Sequence, residues 1–181
     1  MDIIKLVNER GCFDLQFRRD VRHKRTGTPT YYSWRAQFVV VGNLDKEDLL
    51  KQIQSTLNCG KIHYITEPRK SKAKLAERME FSSPTGIQLR YSVQDIKNLH
   101  EIIIPFFKEN PLSGNKKKDF ELWAEAVKIL YQNKGKHLSS WPKETFLRLI
   151  EIQKLMQKYK ARKLPVSKWL PVAEAILKHL T

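Results

Sequence analysis

Long apolar runs are missing from the 181 residues. No stretch of about 18 apolar residues occurs, so the sequence offers no membrane span. No charged-then-apolar leader opens it, which predicts a chain that is not exported. Cysteine is scarce. Cys12 and Cys59 follow no metal-ligand spacing, which predicts reduced, mostly buried thiols in a reducing compartment. Glycine-rich phosphate loops and a nucleophile elbow are absent, and His63 and His137 stand alone. No repeat at roughly 20–50 residues is visible. Acid is also in short supply: 19 Asp and Glu against 34 Lys and Arg leave a net charge of +15, with a pI near 9.9. That surplus predicts a polyanionic partner, with nucleic acid ahead of an anionic membrane surface. What is present suffices for a core. The 41% apolar fraction and the length fit one domain.

The chain reads as a helix, then strands, then helices. Ile3, Ile4, Leu6 and Val7 suit a short opening helix. Gly11 falls where a helix commonly ends in a left-handed residue. From Cys12 to Lys24 the period is two, with Phe13, Leu15 and Phe17 on one face and Asp14, Gln16, Arg18, Asp20, Arg22 and Lys24 on the other. A Gly/Pro turn leads to a second strand, Tyr31 to Val41, whose core face is Trp34, Ala36, Phe38 and Val40. A helix from about Asp45 to Leu57 follows, ended at Cys59-Gly60. Lys61 to Thr66 reads as a third strand in which Ile62 and Tyr64 alternate with Lys61 and His63. Residues 67–85 are a polar, basic loop. The fourth strand, 86–93, turns Ile87, Leu89, Tyr91 and Val93 inward and Gln88, Arg90 and Ser92 outward. Helices are expected from Asp95 to Phe107 with a break at Pro105, from Lys116 to Tyr131, from Trp141 to about Tyr159, and after Ser167. Four strands backed by helices make an α+β fold. The expected division is a main domain over 1–160 and a basic helical extension over 161–181.

The outward sheet face is the leading functional feature. Gln16, Arg18, Arg22, Lys24, Arg35, Gln37, Lys61, His63, Gln88 and Arg90 all fall on it. Arg pairs with guanine edges and phosphates, and Gln with adenine edges. An antiparallel ribbon fits a major groove about 12 Å wide. An ordinary solvated face mixes signs, whereas the acids here are only Asp14 and Asp20. Arg69, Lys70 and Lys72, with Lys74 and Arg78, add a basic loop suited to a phosphate backbone. Lys154, Lys158, Lys160, Arg162, Lys163 and Lys168 form a basic tail that suits phosphate contact or a helix C-terminus.

The helix–glycine–phenylalanine opening, Ile3 to Phe13, and the strand–helix order after it resemble a single-motif LAGLIDADG homing endonuclease. The resemblance runs from about residue 3 to 160. It includes Leu57-Asn58-Cys59-Gly60-Lys61-Ile62, Ile104-Pro105-Phe106-Phe107, Pro111-Leu112, and Lys116 with Asp119 and Phe120. It implies a four-stranded antiparallel β-saddle backed by helices, DNA bound on the saddle, Mg²⁺-dependent cleavage of both strands, and in some relatives assistance to intron splicing. It also implies an intron-encoded, intracellular protein of a bacterial cytoplasm or an organelle.

The departures are at the motif. Lys5 and Glu9 stand where the family has small residues that let two helices touch. Arg10 stands where the family's metal-binding acid lies, and a guanidinium offers Mg²⁺ no lone pair. Val39 loosely matches a glutamine near the family's site, and Lys116 matches a basic residue there. The expectation is therefore a DNA- or RNA-binding protein with cleavage lost, no metal and no motif-helix homodimer, acting alone or inside a larger ribonucleoprotein with intron or ribosomal RNA. One alternative is a working endonuclease with a shifted motif that uses Glu9, about 100° around the helix from the usual position, with Lys116 as an accessory. Another is a protein-binding module for an acidic partner.

Overall fold

A computed structural model describes residues 3–21, 30–66, 87–160 and 169–178. In order it contains α1 (Ile3–Arg10), β1 (Gly11–Val21), β2 (Thr30–Asn43), a 3-10 turn at Leu44–Lys46, α2 (Glu47–Leu57), β3 (Lys61–Thr66) and β4 (Ile87–Val93). A composite helix α3 then runs through Ile96–Asn98, Leu99–Ile103 and Ile104–Glu109. It is followed by α4 (Gly114–Gln132), a 3-10 turn at Leu138–Ser140, α5 (Lys143–Met156) and α6 (Leu170–Lys178). The strands form one antiparallel sheet in the order β1-β2-β4-β3. The chain divides into two compact units, one of residues up to Cys12 together with Phe38–Val93, the other of Phe13–Gln37 and Gln94 onward.

In the first unit the opening helix buries Leu6 and Val7 and leaves Lys5 and Glu9 exposed. Gly11 is needed here for a reason other than the one expected. Its φ is not positive. A Cβ at Gly11 would instead lie 2.6 Å from the Val7 carbonyl oxygen, so only glycine lets the chain turn directly from α1 into β1. The left-handed residue expected at Cys59-Gly60 is present, shared by Asn58 at φ 47° and Gly60 at φ 82°. The α2 residues Leu50, Ile53 and Leu57 are buried, and α2 packs on β3 and β4. Tyr91 fills the space beside Gly60, and its hydroxyl donates to the Cys59 carbonyl at 2.9 Å. Burial pushes that phenol far above its ordinary range. Neither cysteine forms a disulfide, and both are half-buried.

In the second unit β1 carries the core. Phe13 meets Phe107 of α3 and Phe120 and Trp123 of α4 with ring centroids 5.6, 5.2 and 5.1 Å apart. Phe17 meets Trp34 of β2 and Phe146 of α5 at 5.1 and 5.9 Å. The break expected at Pro105 takes a particular form. Leu99–Ile103 is a π-turn closed by the Ile104 N–H on the Leu99 carbonyl, and α-geometry resumes with Pro105 in its first turn. A proline ring crowds the carbonyl four residues back and supplies no N–H, and the wider turn accommodates both defects. Asp95 caps α3 by accepting from Asn98 N–H at 2.9 Å.

Candidate nucleic-acid interface

Strand pairing in the first unit sets three cross-strand rows on one sheet face. They are Val39–Ser92–Lys61, Val41–Arg90–His63 and Asn43–Gln88–Ile65. Lys61 and His63 are exposed, and Gln88 and Arg90 are half-buried. The middle row brings Arg90 and His63 directly opposite one another, as neighbours on a face. Two expectations for this unit need correction. Ser92 keeps the outward register but is buried, as is Val39 beside it. Tyr64 is 56% exposed rather than a core residue. It lies on the edge strand, and its hydroxyl donates to Glu47 Oε1 at 2.8 Å. The Lys51 hydrogen bond, then that of Tyr64, lowers the Glu47 carboxyl below its usual value.

The second unit gathers Gln16, Arg18, Arg35 and Gln37 around one shallow hollow of about 40 Å³ that also touches Asp14 and Gln94. The two acids organise it. Asp14 Oδ2 accepts from Gln16 Nε2 at 2.6 Å and Gln37 Nε2 at 2.8 Å. Gln94 Nε2 donates to Gln37 Oε1 at 3.4 Å. Asp20 accepts from the Ser33 hydroxyl at 2.5 Å and meets Arg18 Nε at 3.2 Å and Arg35 at 3.3 Å. Burial would raise the Asp20 carboxyl, but the Ser33 hydroxyl and the Arg35 and Arg18 charges outweigh it and hold it below the usual carboxylate range. The arginines are therefore positioned rather than loose, about half of each side chain remaining accessible. Chemically the arrangement offers fixed guanidinium and amide groups that suit phosphate and base edges.

Of the other residues expected at the interface, Arg22, Lys24, Arg69, Lys70 and Lys72, with Lys74 and Arg78, lie outside the described residues. Lys116 is half-buried in the first turn of α4. Its charge acts on Asp119, three residues on. Sequence reasoning named Asp119 only as part of the resemblance and missed its place at the centre of this cluster. Asp119 is 2% exposed, and its Oδ2 accepts from Lys160 Nζ at 2.9 Å. Lys160 Nζ also donates to the Phe13 carbonyl. Burial pushes the Asp119 carboxyl above its ordinary value against the Lys160 and Lys116 charges, and Asp14 adds repulsion. Lys160, read as part of a phosphate-binding tail, is thus turned inward. Lys154 is also engaged, with Glu174 Oε1 at 2.7 Å, and Arg162, Lys163 and Lys168 lie outside the described residues. Gln153 Nε2 donates to the Leu15 carbonyl at 3.1 Å and Trp123 Nε1 to that of Asp14 at 3.1 Å. Side chains from the helices thereby occupy backbone acceptors along the edge strand β1, as an edge requires. His137 caps the 3-10 turn by accepting from Ser139 N–H at 3.3 Å.

The end of α1 holds the residues that the sequence resemblance assigned to the motif. Arg10 ends α1 and is half-buried, while Glu9 before it is exposed. Among the described residues no group of three or more His, Cys, Asp or Glu side chains is placed to hold a metal ion. Arg10 itself offers Mg²⁺ no lone pair, whereas Mg²⁺ takes anionic or neutral oxygen ligands.

Residues 79–127 match the family model described as LAGLIDADG endonuclease. The match covers β4, α3 and most of α4 and does not reach α1. No curated protein matches the chain. Among solved structures, the homing endonuclease I-TnaI aligns over 97% of this chain and 95% of its own, with a TM-score of 0.65 and 16% identity. The archaeal intron-encoded homing endonuclease I-Vdi141I, complexed with DNA, aligns over 98% and 93% with a TM-score of 0.65 and 16% identity. I-SmaMI, bound to an uncleaved DNA target in the presence of calcium ions, aligns over 96% of this chain but 47% of its own, with a TM-score of 0.65 and 17% identity. The chain thus spans about half the length of I-SmaMI. The α+β fold is that of the LAGLIDADG homing endonucleases, and the family resemblance read from the sequence is borne out.

Proposed function

We propose that this protein binds nucleic acid through the polar sheet faces of a LAGLIDADG-type scaffold and has lost DNA cleavage. The observation that carries the proposal is Arg10 at the end of α1, where the resemblance would put the motif's metal-binding acid. Cleavage by such a scaffold needs anionic oxygens to hold the ion and stabilise charge on the transferring phosphate. A cation at that place repels the ion. Binding has no such requirement. The net charge of +15, the Asp20-held arginines and the Arg90–His63 row all support it. DNA is the partner named for I-Vdi141I and I-SmaMI. Phosphate attraction serves structured RNA as well, and an intron or ribosomal RNA within a ribonucleoprotein is the companion reading.

Glu9 supports a second reading. It is exposed one residue before Arg10 and offers a carboxylate to a shifted site. A randomised plasmid library incubated with the protein and Mg²⁺ separates the two. The proposal expects intact plasmid. Site-specific double-strand breaks that disappear with a chelator and with Glu9→Gln would establish the endonuclease instead.

A further inference from the structure

The second unit also holds a cleft of about 940 Å³, which shares Ser33, Arg35, Ala36 and Gln94 with the interface described above and otherwise lies apart from it. It runs beside the first half of β2. That strand pairs with β4 only from Phe38 onward, so among the described residues no β4 partner stands opposite the stretch before it. The walls include Tyr31, Tyr32, Trp34 and Trp141, and the loop after α4 contributes Lys134 and Lys136, both exposed. The indole N–H groups of Trp34 and Trp141 are covered from water and, among the described residues, meet no acceptor. A buried donor with no acceptor is costly, and an acceptor supplied by a ligand would relieve it. Among the described residues the only carboxylate in the lining is Asp95, already committed to its helix cap.

We propose that this cleft takes an unpaired nucleotide of a single-stranded segment adjoining the bound duplex or RNA helix. The inference rests on the reading that the partner is nucleic acid. Of the aromatic walls, the half-buried Tyr31 and Tyr32 suit stacking on a base of any sequence, lysines at a rim hold the phosphate, and indole N–H groups need acceptors, which every nucleobase carries. The volume falls within the range of small-ligand pockets, about 300–1,000 Å³. An acidic peptide strand would satisfy the lysines but would leave the aromatic walls without a stacking partner.

The test follows tryptophan emission of the intact chain during titration with a single-stranded oligothymidylate, a blunt duplex, and an oligoglutamate peptide. The single strand is expected to quench emission. Lys134→Ala with Lys136→Ala, both exposed and remote from the core, is expected to weaken single-strand binding about tenfold and leave duplex binding within about twofold. Trp141→Phe, which keeps a ring and removes the N–H, is expected to weaken the single strand alone. Duplex binding without lysine-dependent single-strand quenching would overturn the inference and leave the proposed function standing. Single-strand binding without duplex binding would do the reverse, and loss of both would overturn both. Equal quenching by oligoglutamate would replace the nucleotide with an acidic strand on the open edge.

Discussion

Asp119 and Lys160 show how one inward-turned residue alters the reading of a basic surface. The two side chains are 3% and 9% exposed, and their charges are mutually compensated. Removing one partner of such a pair leaves a buried charge, at a cost of about 3–5 kcal/mol, whereas replacing both with apolar groups is often close to neutral. Lys160→Met is therefore expected to lower the urea midpoint by that free energy. Lys160→Met with Asp119→Leu is expected to recover most of the loss. A silent Lys160→Met would show that the pair carries no buried charge. A lysine near the end of a basic sequence gives no sign of this role. Asp119 is 41 residues away and the Phe13 carbonyl 147 away, separations that a local pattern does not register. Asp20 was visible as an acid on a basic face, but its service to Arg18 and Arg35 required the β1–β2 pairing to be known.

At the level of elements, the strands were the most legible part of the chain. Phe13, Leu15, Phe17, Trp34, Ala36, Phe38 and Val40 alternate in sequence and are all buried in the structure. Tyr64 obeyed the same alternation yet is exposed, because β3 is an edge strand and α2 offers Glu47 to its hydroxyl. Glycine roles were legible in place but not in kind. Gly11 is required by the closeness of Val7, while Gly60 is required both by its φ of 82° and by the Tyr91 ring, which a Cβ would approach to 2.7 Å. Gly114 has a φ of 54° with nothing within 4 Å. Gly60→Ala is accordingly expected to destabilise by more than about 1 kcal/mol, lowering Tm by roughly 2–4 °C or more. Gly114→Ala, which bears the backbone strain alone, is expected to lose less. Equal or reversed losses in parallel thermal melts would contradict the account of Gly60.

For the whole molecule, α1, read from the sequence as the motif helix, bears on assembly. Close helix contact needs small residues at the crossing. Here Lys5 and Glu9 are exposed at those places, and Leu6 and Val7 are already buried within the chain. Reciprocal Lys5–Glu9 pairs at a rim would contribute little, and buried pairs would cost desolvation. Light scattering at micromolar concentration is expected to give the monomer mass of 21.3 kDa. Twice that mass would contradict the reading of α1. The central claim, nucleic-acid binding by the polar sheet faces, is tested most directly by affinity against salt on duplex DNA. Neutralising about five phosphates predicts a log–log slope of roughly −4 to −5, and Lys61→Ala should make it shallower by about one. Affinity indifferent to salt, or a slope unchanged by Lys61→Ala, would contradict the account.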